Sequence, residues 1–115
     1  MDERRRIPRK YLMFYSRVFD EKTGELVGHI IDITRMGMML ISEKPVEVGQ
    51  TLQLRLEVPL DFQTKQFISF AATSKWCGKD VDPHFYNTGF EIDAISLEDL
   101  DLIERLVEAY GLRDH

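Results

Sequence analysis

The clearest periodic segment of the chain lies in its middle. From residue 52 to residue 58, the sequence LQLRLEV alternates apolar and polar positions, and Pro59 follows it. A period of two predicts a β-strand with one buried and one solvated face. Five more strands are predicted from apolar stretches between turn-forming residues, at 11–19, 25–33, 38–42, 66–77 and 85–92.

Glycines predict where these strands turn or bend. Asp20 to Gly24 reads as a turn that joins the first two strands into a hairpin, with Gly24 able to adopt positive φ. The fifth strand is long and is expected to bend near Ala71 and Ala72. Gly89, inside the last strand, indicates a bulge or a close approach of another group.

The end of the chain changes to a helical period. Ser96 precedes Asp99 by three residues, which is typical of a helix N-terminus, and Leu100, Ile103 and Leu106 recur at helical spacing. One amphipathic helix is therefore predicted at about residues 96–110. Six antiparallel strands followed by a helix predict a mainly β (all-β) fold, a small barrel whose open end or face is covered by the C-terminal helix.

The overall composition is that of one soluble domain. The chain has 115 residues, 43% of them hydrophobic and 30% charged, and one cysteine, Cys77. It contains no apolar run of the roughly 20 residues that a membrane span needs, and its first residues do not resemble a signal peptide. These features predict a cytoplasmic protein without membrane insertion.

Charge is divided unevenly along the chain. Residues 1–10 hold five basic and two acidic residues and carry a net charge of +3. Since the whole chain carries −5, the remaining residues carry −8. We expect a flexible arginine-rich arm at 1–10 and one barrel domain at 11–115. An acidic body repels long polyanions, which argues against DNA or RNA as partners and favours a small anion held by the arm. A solvated tail is the simpler alternative.

No catalytic or metal-binding pattern is present. The three histidines, His29, His84 and His115, match no metal-ligand spacing with Cys77 or a carboxylate. There is no glycine-rich phosphate loop or nucleophile elbow. The sequence predicts that the protein is not an enzyme and needs no cofactor.

Two short motifs suggest ligand chemistry. Arg5 and Arg9 flank Pro8, with Arg4 directly before them, and guanidinium groups bind phosphates, pair with guanine edges and stack on purines. Asp32 begins a second motif, DITRMG, which also contains Thr34 and Gly37. A carboxylate there can accept from two guanine N–H groups, although the same residues also form ordinary turns.

In this order, the two motifs resemble the PilZ family, whose pattern is RxxxR followed some 20 to 30 residues later by (D/N)xSxxG. Here these are Arg5 to Arg9 and Asp32 to Gly37. The likeness continues through a tryptophan late in the fifth strand, a Gly-aromatic-acidic run in the last strand and the helix, and so covers essentially the whole chain. The residues concerned are Trp76, Gly89, Phe90 and Glu91.

The resemblance implies a six-stranded PilZ-type barrel that binds the bacterial second messenger cyclic di-GMP. It implies that Arg5 and Arg9 bind the phosphates and guanines of the ligand. It also implies that Arg4 favours the binding of two intercalated ligand molecules. It also implies guanine contacts from Asp32 and Thr34 and a turned loop at Gly37, with Trp76 either beside a base or in the core. Thr34 departs from the serine of the family pattern, and its methyl group is expected to weaken binding at most.

The implied mechanism is that of an adaptor. Ligand binding would order the arm against the barrel and present a surface to a downstream protein. One alternative is a PilZ-like interaction module that binds a protein partner and no nucleotide. Another is a small barrel that binds single-stranded nucleic acid, which would need aromatic and basic residues interleaved along one face.

Overall fold

The computed structural model describes residues 16–34, 36–58 and 65–110. They form six strands and one helix, as the sequence predicts. The observed boundaries lie close to the predicted ones except at the start of β1, which begins at Arg17 and not at residue 11. Residues 11–15 of the first predicted strand and Pro59 lie outside the described residues. The elements are β1 (Arg17–Asp20), β2 (Leu26–Ile33), β3 (Gly37–Ser42), β4 (Thr51–Glu57), β5 (Phe67–Lys79), β6 (Tyr86–Ala94) and α1 (Leu97–Tyr110).

The strands close into a barrel in the order β1-β2-β3-β6-β5-β4. All neighbouring pairs are antiparallel, and β1 completes the circle by pairing with both β2 and β4. The predicted β1–β2 hairpin is present, and Gly24 in its turn has a φ of 77°. The predicted class, an antiparallel six-stranded barrel with a C-terminal helix, is confirmed.

The barrel interior is filled by one face of each strand. In β4, Leu54 and Leu56 are fully buried while Arg55 between them is only partly covered, as the alternation predicts. The largest fully buried side chain is that of Phe70 on β5. The core therefore lies inside the barrel, and the outward positions of the strands remain available for other functions.

The helix covers the core with its apolar face. Ser96 accepts a hydrogen bond from the backbone N–H of Asp99 through its Oγ (3.1 Å), which confirms the predicted helix start. Leu102, Ile103, Leu106 and Val107 are buried and belong to the same hydrophobic cluster as the strand residues. Gly111, expected just after the helix, lies outside the described residues.

The start of the helix is also held by an ion pair. The carboxylate of Asp99 is almost fully buried, and its Oδ1 lies 2.8 Å from Nζ of Lys65. Lys65 lies two residues before β5, so this contact joins the helix to the start of that strand. The carboxylate raises the pKa of the Lys65 ammonium through this hydrogen bond.

Candidate ligand-binding site

Two bulges in the barrel turn polar and aromatic side chains outward. In β2 the register shifts between Ile30 and Asp32, so that Ile31 has no direct partner and Asp32 pairs with Met39. Continued alternation from buried Ile30 would have turned Asp32 into the core. A bulge resets the alternation and re-aims the next side chain, and Asp32 therefore lies on the outer surface.

The second bulge acts in the same way on β5. Its register shifts between Ser74 and Trp76, with Ser74 buried opposite Phe90 and Trp76 opposite Gly89. Lys75 is the additional residue. Trp76 consequently faces outward and is 48% exposed, so that the core position considered for it from the sequence is wrong.

The two re-aimed residues lie in one row across four strands. Asp32 pairs with Met39, Met39 with Gly89, and Gly89 with Trp76. Neighbouring strands are about 4.8 Å apart, so the row is about 14 Å long. The sequence motif around Asp32 and the distant tryptophan are thus brought to the same face of the barrel.

Gly89 brings the indole close to the sheet. A Cβ at this position would overlap Nε1 and Cε2 of Trp76, which shows that the ring lies directly over the glycine backbone. The close approach expected at Gly89 is confirmed, and the group that approaches is the tryptophan side chain across the strand pair.

The loop between β2 and β3 is held by the hydroxyl group of Thr34. Its Oγ1 accepts from the backbone N–H of Met36 (3.2 Å) and of Gly37 (3.3 Å), and the N–H of Thr34 donates to the carbonyl of Gly37 (2.8 Å). The N–H of Ile92 on β6 donates to the carbonyl of Met36 (2.9 Å). Thr34 thus forms the turn that the sequence offered as the simpler interpretation of the motif, and the loop is attached to the barrel.

Gly37 is required for a reason other than the backbone angle. Its φ is not positive, so the backbone angle does not demand a glycine. A Cβ added to it, however, would lie 2.7 Å from the carbonyl oxygen of Phe90. The glycine therefore allows β3 and β6 to approach where the loop joins the barrel. A side chain at position 37 is therefore excluded by the neighbouring strand β6.

These residues line a shallow hollow of about 430 Å³ on the outside of the barrel. A volume in this range suits a small organic ligand. Sequence reasoning did not identify Met36, Met39 and Lys75 as part of it. The apolar run of β3 does not reveal which methionine faces outward, and Lys75 enters the site only because of its bulge. The described lining residues are Asp32, Thr34, Met36, Gly37, Met38, Met39, Lys75, Trp76, Gly89, Phe90 and Glu91.

The described lining of the hollow is not cationic. It includes the carboxylates of Asp32 and Glu91 and the ammonium of Lys75, which lies 3.4 Å from Glu91. Burial raises the pKa of the Asp32 carboxyl, and a hydrogen bond from the backbone of Ile33 offsets part of this effect. An anionic ligand would therefore need additional positive charge from elsewhere in the chain.

The direction of β1 indicates where that charge can come from. The carbonyl of Ser16 accepts a hydrogen bond from the N–H of Ile30 (2.9 Å), and β1 runs antiparallel to β2. The described chain therefore begins, at Ser16, beside Ile30 and two residues from Asp32 on β2. Arg4, Arg5 and Arg9 themselves, and Arg35 in the β2–β3 loop, lie outside the described residues.

A second hollow, of about 600 Å³, lies between the β2–β3 loop and α1. Thr34 and Met36 line both hollows, so the β2–β3 loop lies between the first hollow and the helix. The helix side contributes apolar Ile103 and Val107 with a mainly acidic rim. Its charged residues are Asp101, Glu104, Arg105 and Glu108.

Within residues 16–34, 36–58 and 65–110, no three His, Cys, Asp or Glu side chains are grouped as metal ligands. The helix that the structure describes lacks the length and apolar character of a membrane span.

Comparison with known proteins agrees with the barrel geometry. A family profile described as the PilZ domain matches residues 3–109. No curated protein sequence matches the chain significantly. Among solved structures, the Bacillus subtilis inhibitor of motility (MotI/DgrA) superimposes with a TM-score of 0.65 at 13% identity, over 88% of this chain and 47% of that one.

A second similar structure is MrkH of K. pneumoniae in its apo state, with a TM-score of 0.64 and 18% identity over 86% of this chain and 46% of MrkH. At such low identities the likeness shows the fold alone. The chain spans about half the length of either protein.

Proposed function

The chain belongs to the PilZ domain family, a family of cyclic di-GMP receptors and adaptors, and from that premise we propose that it binds cyclic di-GMP on the face between Asp32 and Trp76. The observation that carries the proposal is the pair of bulges, which turn these two residues outward into one row. Asp32 supplies an acceptor for guanine N–H groups, and Trp76 supplies an aromatic surface.

The charge of the site supports a role for the arm. The ligand carries two phosphates, whereas the described hollow contains two carboxylates and one ammonium group that is paired with one of them. Arg4, Arg5 and Arg9 would provide the missing positive charge, and Ser16, where the described chain begins, lies beside Ile30 near this face. With three arginines, the site would hold one ligand molecule or two intercalated ones.

The same geometry suggests how ligand binding would be signalled to another protein. Ligand binding would order residues 1–10 against the barrel, which changes the surface beside the β2–β3 loop and α1. A downstream protein that recognises this surface would make the chain a cytoplasmic adaptor without catalytic activity.

Isothermal titration with cyclic di-GMP tests the binding step. The wild-type protein should release or absorb heat with a saturable isotherm. Arg5→Ala and Asp32→Ala should each weaken binding at least about tenfold, since each removes a charged hydrogen-bonding partner worth about 1.5–3 kcal/mol. Arg105→Ala is the matched control, because it removes an exposed arginine that pairs with Asp101 on α1.

The control should bind like the wild type. Unchanged affinity in both Arg5→Ala and Asp32→Ala would place the ligand elsewhere on the protein.

The second hollow favours one alternative, a module that binds a protein and no nucleotide. Its apolar floor and acidic rim between the β2–β3 loop and α1 suit a basic, partly apolar segment of a partner. This alternative predicts no titration heat with cyclic di-GMP from a correctly folded protein.

A further inference from the structure

The indole of Trp76 is held in an unusual place for a large aromatic side chain. It is the only tryptophan of the chain, and it remains 48% exposed on the outside of the barrel. Its cross-strand partner is Gly89, and the ring occupies the space in which a side chain at that position would lie. One ring face is therefore directed at the backbone of β6, and the opposite face is available to solvent.

We propose that Gly89 is a positioning residue, which keeps the indole of Trp76 flat on the barrel so that its outer face stacks on a purine base of the ligand. This inference rests on the proposed function. Any larger residue at position 89 would overlap Nε1 and Cε2 of the ring and force it away from the sheet. The exposed indole has room to move, so such a change displaces the ring and leaves the buried core intact.

Met39 extends the same surface toward Asp32. It pairs with Gly89 on the side opposite to Trp76 and lines the same hollow. About two strand spacings, roughly 10 Å, separate Gly89 from Asp32 along the row. A base stacked on the indole would thus lie next to the thioether of Met39, while a second base of a dinucleotide reaches the Asp32 carboxylate.

A purely structural role for the pair is the competing explanation. An aromatic side chain that covers a glycine on the neighbouring strand stabilises a sheet without any ligand. This explanation predicts that changes at Gly89 affect unfolding but leave affinity unchanged. The two explanations therefore differ in the ligand affinity of variants that remain folded.

The chain offers a matched control for a substitution of glycine. Gly78 lies two residues after Trp76 on the same strand, and a Cβ added to it would have no heavy atom within 4 Å. Gly78→Ala adds the same methyl group to the strand of Trp76 without contacting the ring. Both glycine variants can be followed by circular dichroism to confirm that the barrel is folded.

The experiment measures cyclic di-GMP affinity by calorimetry and the emission of the single tryptophan. Gly89→Ala should shift the emission and weaken binding about 5- to 150-fold, the range expected for loss of one base–aromatic stack. Trp76→Leu should weaken binding similarly, Trp76→Phe should retain most of the affinity, and Gly78→Ala should match the wild type.

Undiminished affinity in folded Gly89→Ala would overturn the inference alone. Equal binding by Trp76→Leu and the wild type would overturn the inference and also remove Trp76 from the proposed binding face. Absence of binding by the wild-type protein would instead overturn the proposed function, and this inference with it.

Discussion

At the scale of single residues, Asp32 combines an unfavourable environment with a proposed binding role. Burial raises the pKa of its carboxyl in the folded protein, so the folded state binds a proton at Asp32 more tightly than the unfolded state does. The stabilisation that comes from this proton is fully present below the unfolded-state pKa. It is lost as the pH rises through the folded-state pKa. Above the folded-state pKa, the ionised Asp32 therefore makes the ligand-free fold less stable than a neutral side chain would.

Asp32→Asn should consequently raise the midpoint of thermal unfolding by a small amount at neutral pH. The gain should fade as the pH is lowered through the raised pKa, because the carboxyl of the wild type then becomes neutral as well. The same variant should bind cyclic di-GMP more weakly, since it loses a charged acceptor. Thermal melts over a pH series and calorimetry check both effects.

Asp101→Asn provides the comparison, because Asp101 lies exposed on α1 with 69% of its side chain accessible. It should show neither the gain in stability nor the loss of affinity. A lower melting temperature for Asp32→Asn at neutral pH would contradict the account of Asp32.

Some residues of the site were predictable from the sequence, and others were not. Asp32, Thr34 and Gly37 stand in a recognisable motif, and the structure places them on one loop and its strand ends. The orientation of Trp76 was not predictable, because it depends on the extra residue at Lys75. A single bulge reverses which face every following side chain takes, and its position leaves no clear signal in an apolar strand.

At the scale of elements, the start of α1 is fixed by two contacts that local sequence explains in part. The bond between Ser96 and Asp99 follows from their spacing. The ion pair of Asp99 with Lys65 joins positions 34 residues apart and could not be inferred without the fold.

The strand alternation of residues 52–58 was predictable because each inward residue packs in the barrel. The pairing of β1 with β4, which closes the barrel, has no such local pattern and is seen only in the folded structure.

Ser96→Ala should lower the free energy of unfolding by about 1 kcal/mol, since it removes the side-chain acceptor at the helix start. Urea denaturation followed by circular dichroism measures this loss. Leu97→Ala is the control at the adjacent position, where the leucine is 85% exposed, and it should change stability by less than about 0.5 kcal/mol. Equal effects of the two substitutions would mean that the cap does not stabilise α1.

At the scale of the whole molecule, the protein combines a face that is already formed without ligand and a segment that the ligand is expected to order. The β2–β3 loop is fixed by Thr34 and by its bond to β6, and Gly89 leaves room for the indole of Trp76. The cost in conformational entropy of binding would then arise mainly from residues 1–10.

Limited trypsin digestion tests this division. The enzyme cleaves after arginine and lysine, of which residues 1–10 contain five. Saturating cyclic di-GMP should slow cleavage in this segment several-fold in the wild type, because a bound segment resists proteolysis. Asp32→Ala at the same ligand concentration should be cleaved at the ligand-free rate. Equal rates with and without ligand in the wild type would contradict ordering of the arm.

The short connection between Arg9 and the first described strand has a consequence for how sensitivity to the messenger can evolve. Seven peptide steps separate Arg9 from Ser16, a reach of at most about 25 Å. Groups on so short a tether face their target at an effective concentration on the order of millimolar, and this value falls as the tether lengthens. If the chain binds cyclic di-GMP as proposed, insertions or deletions in these residues would reset the ligand concentration at which it responds, with every residue of the barrel left unchanged.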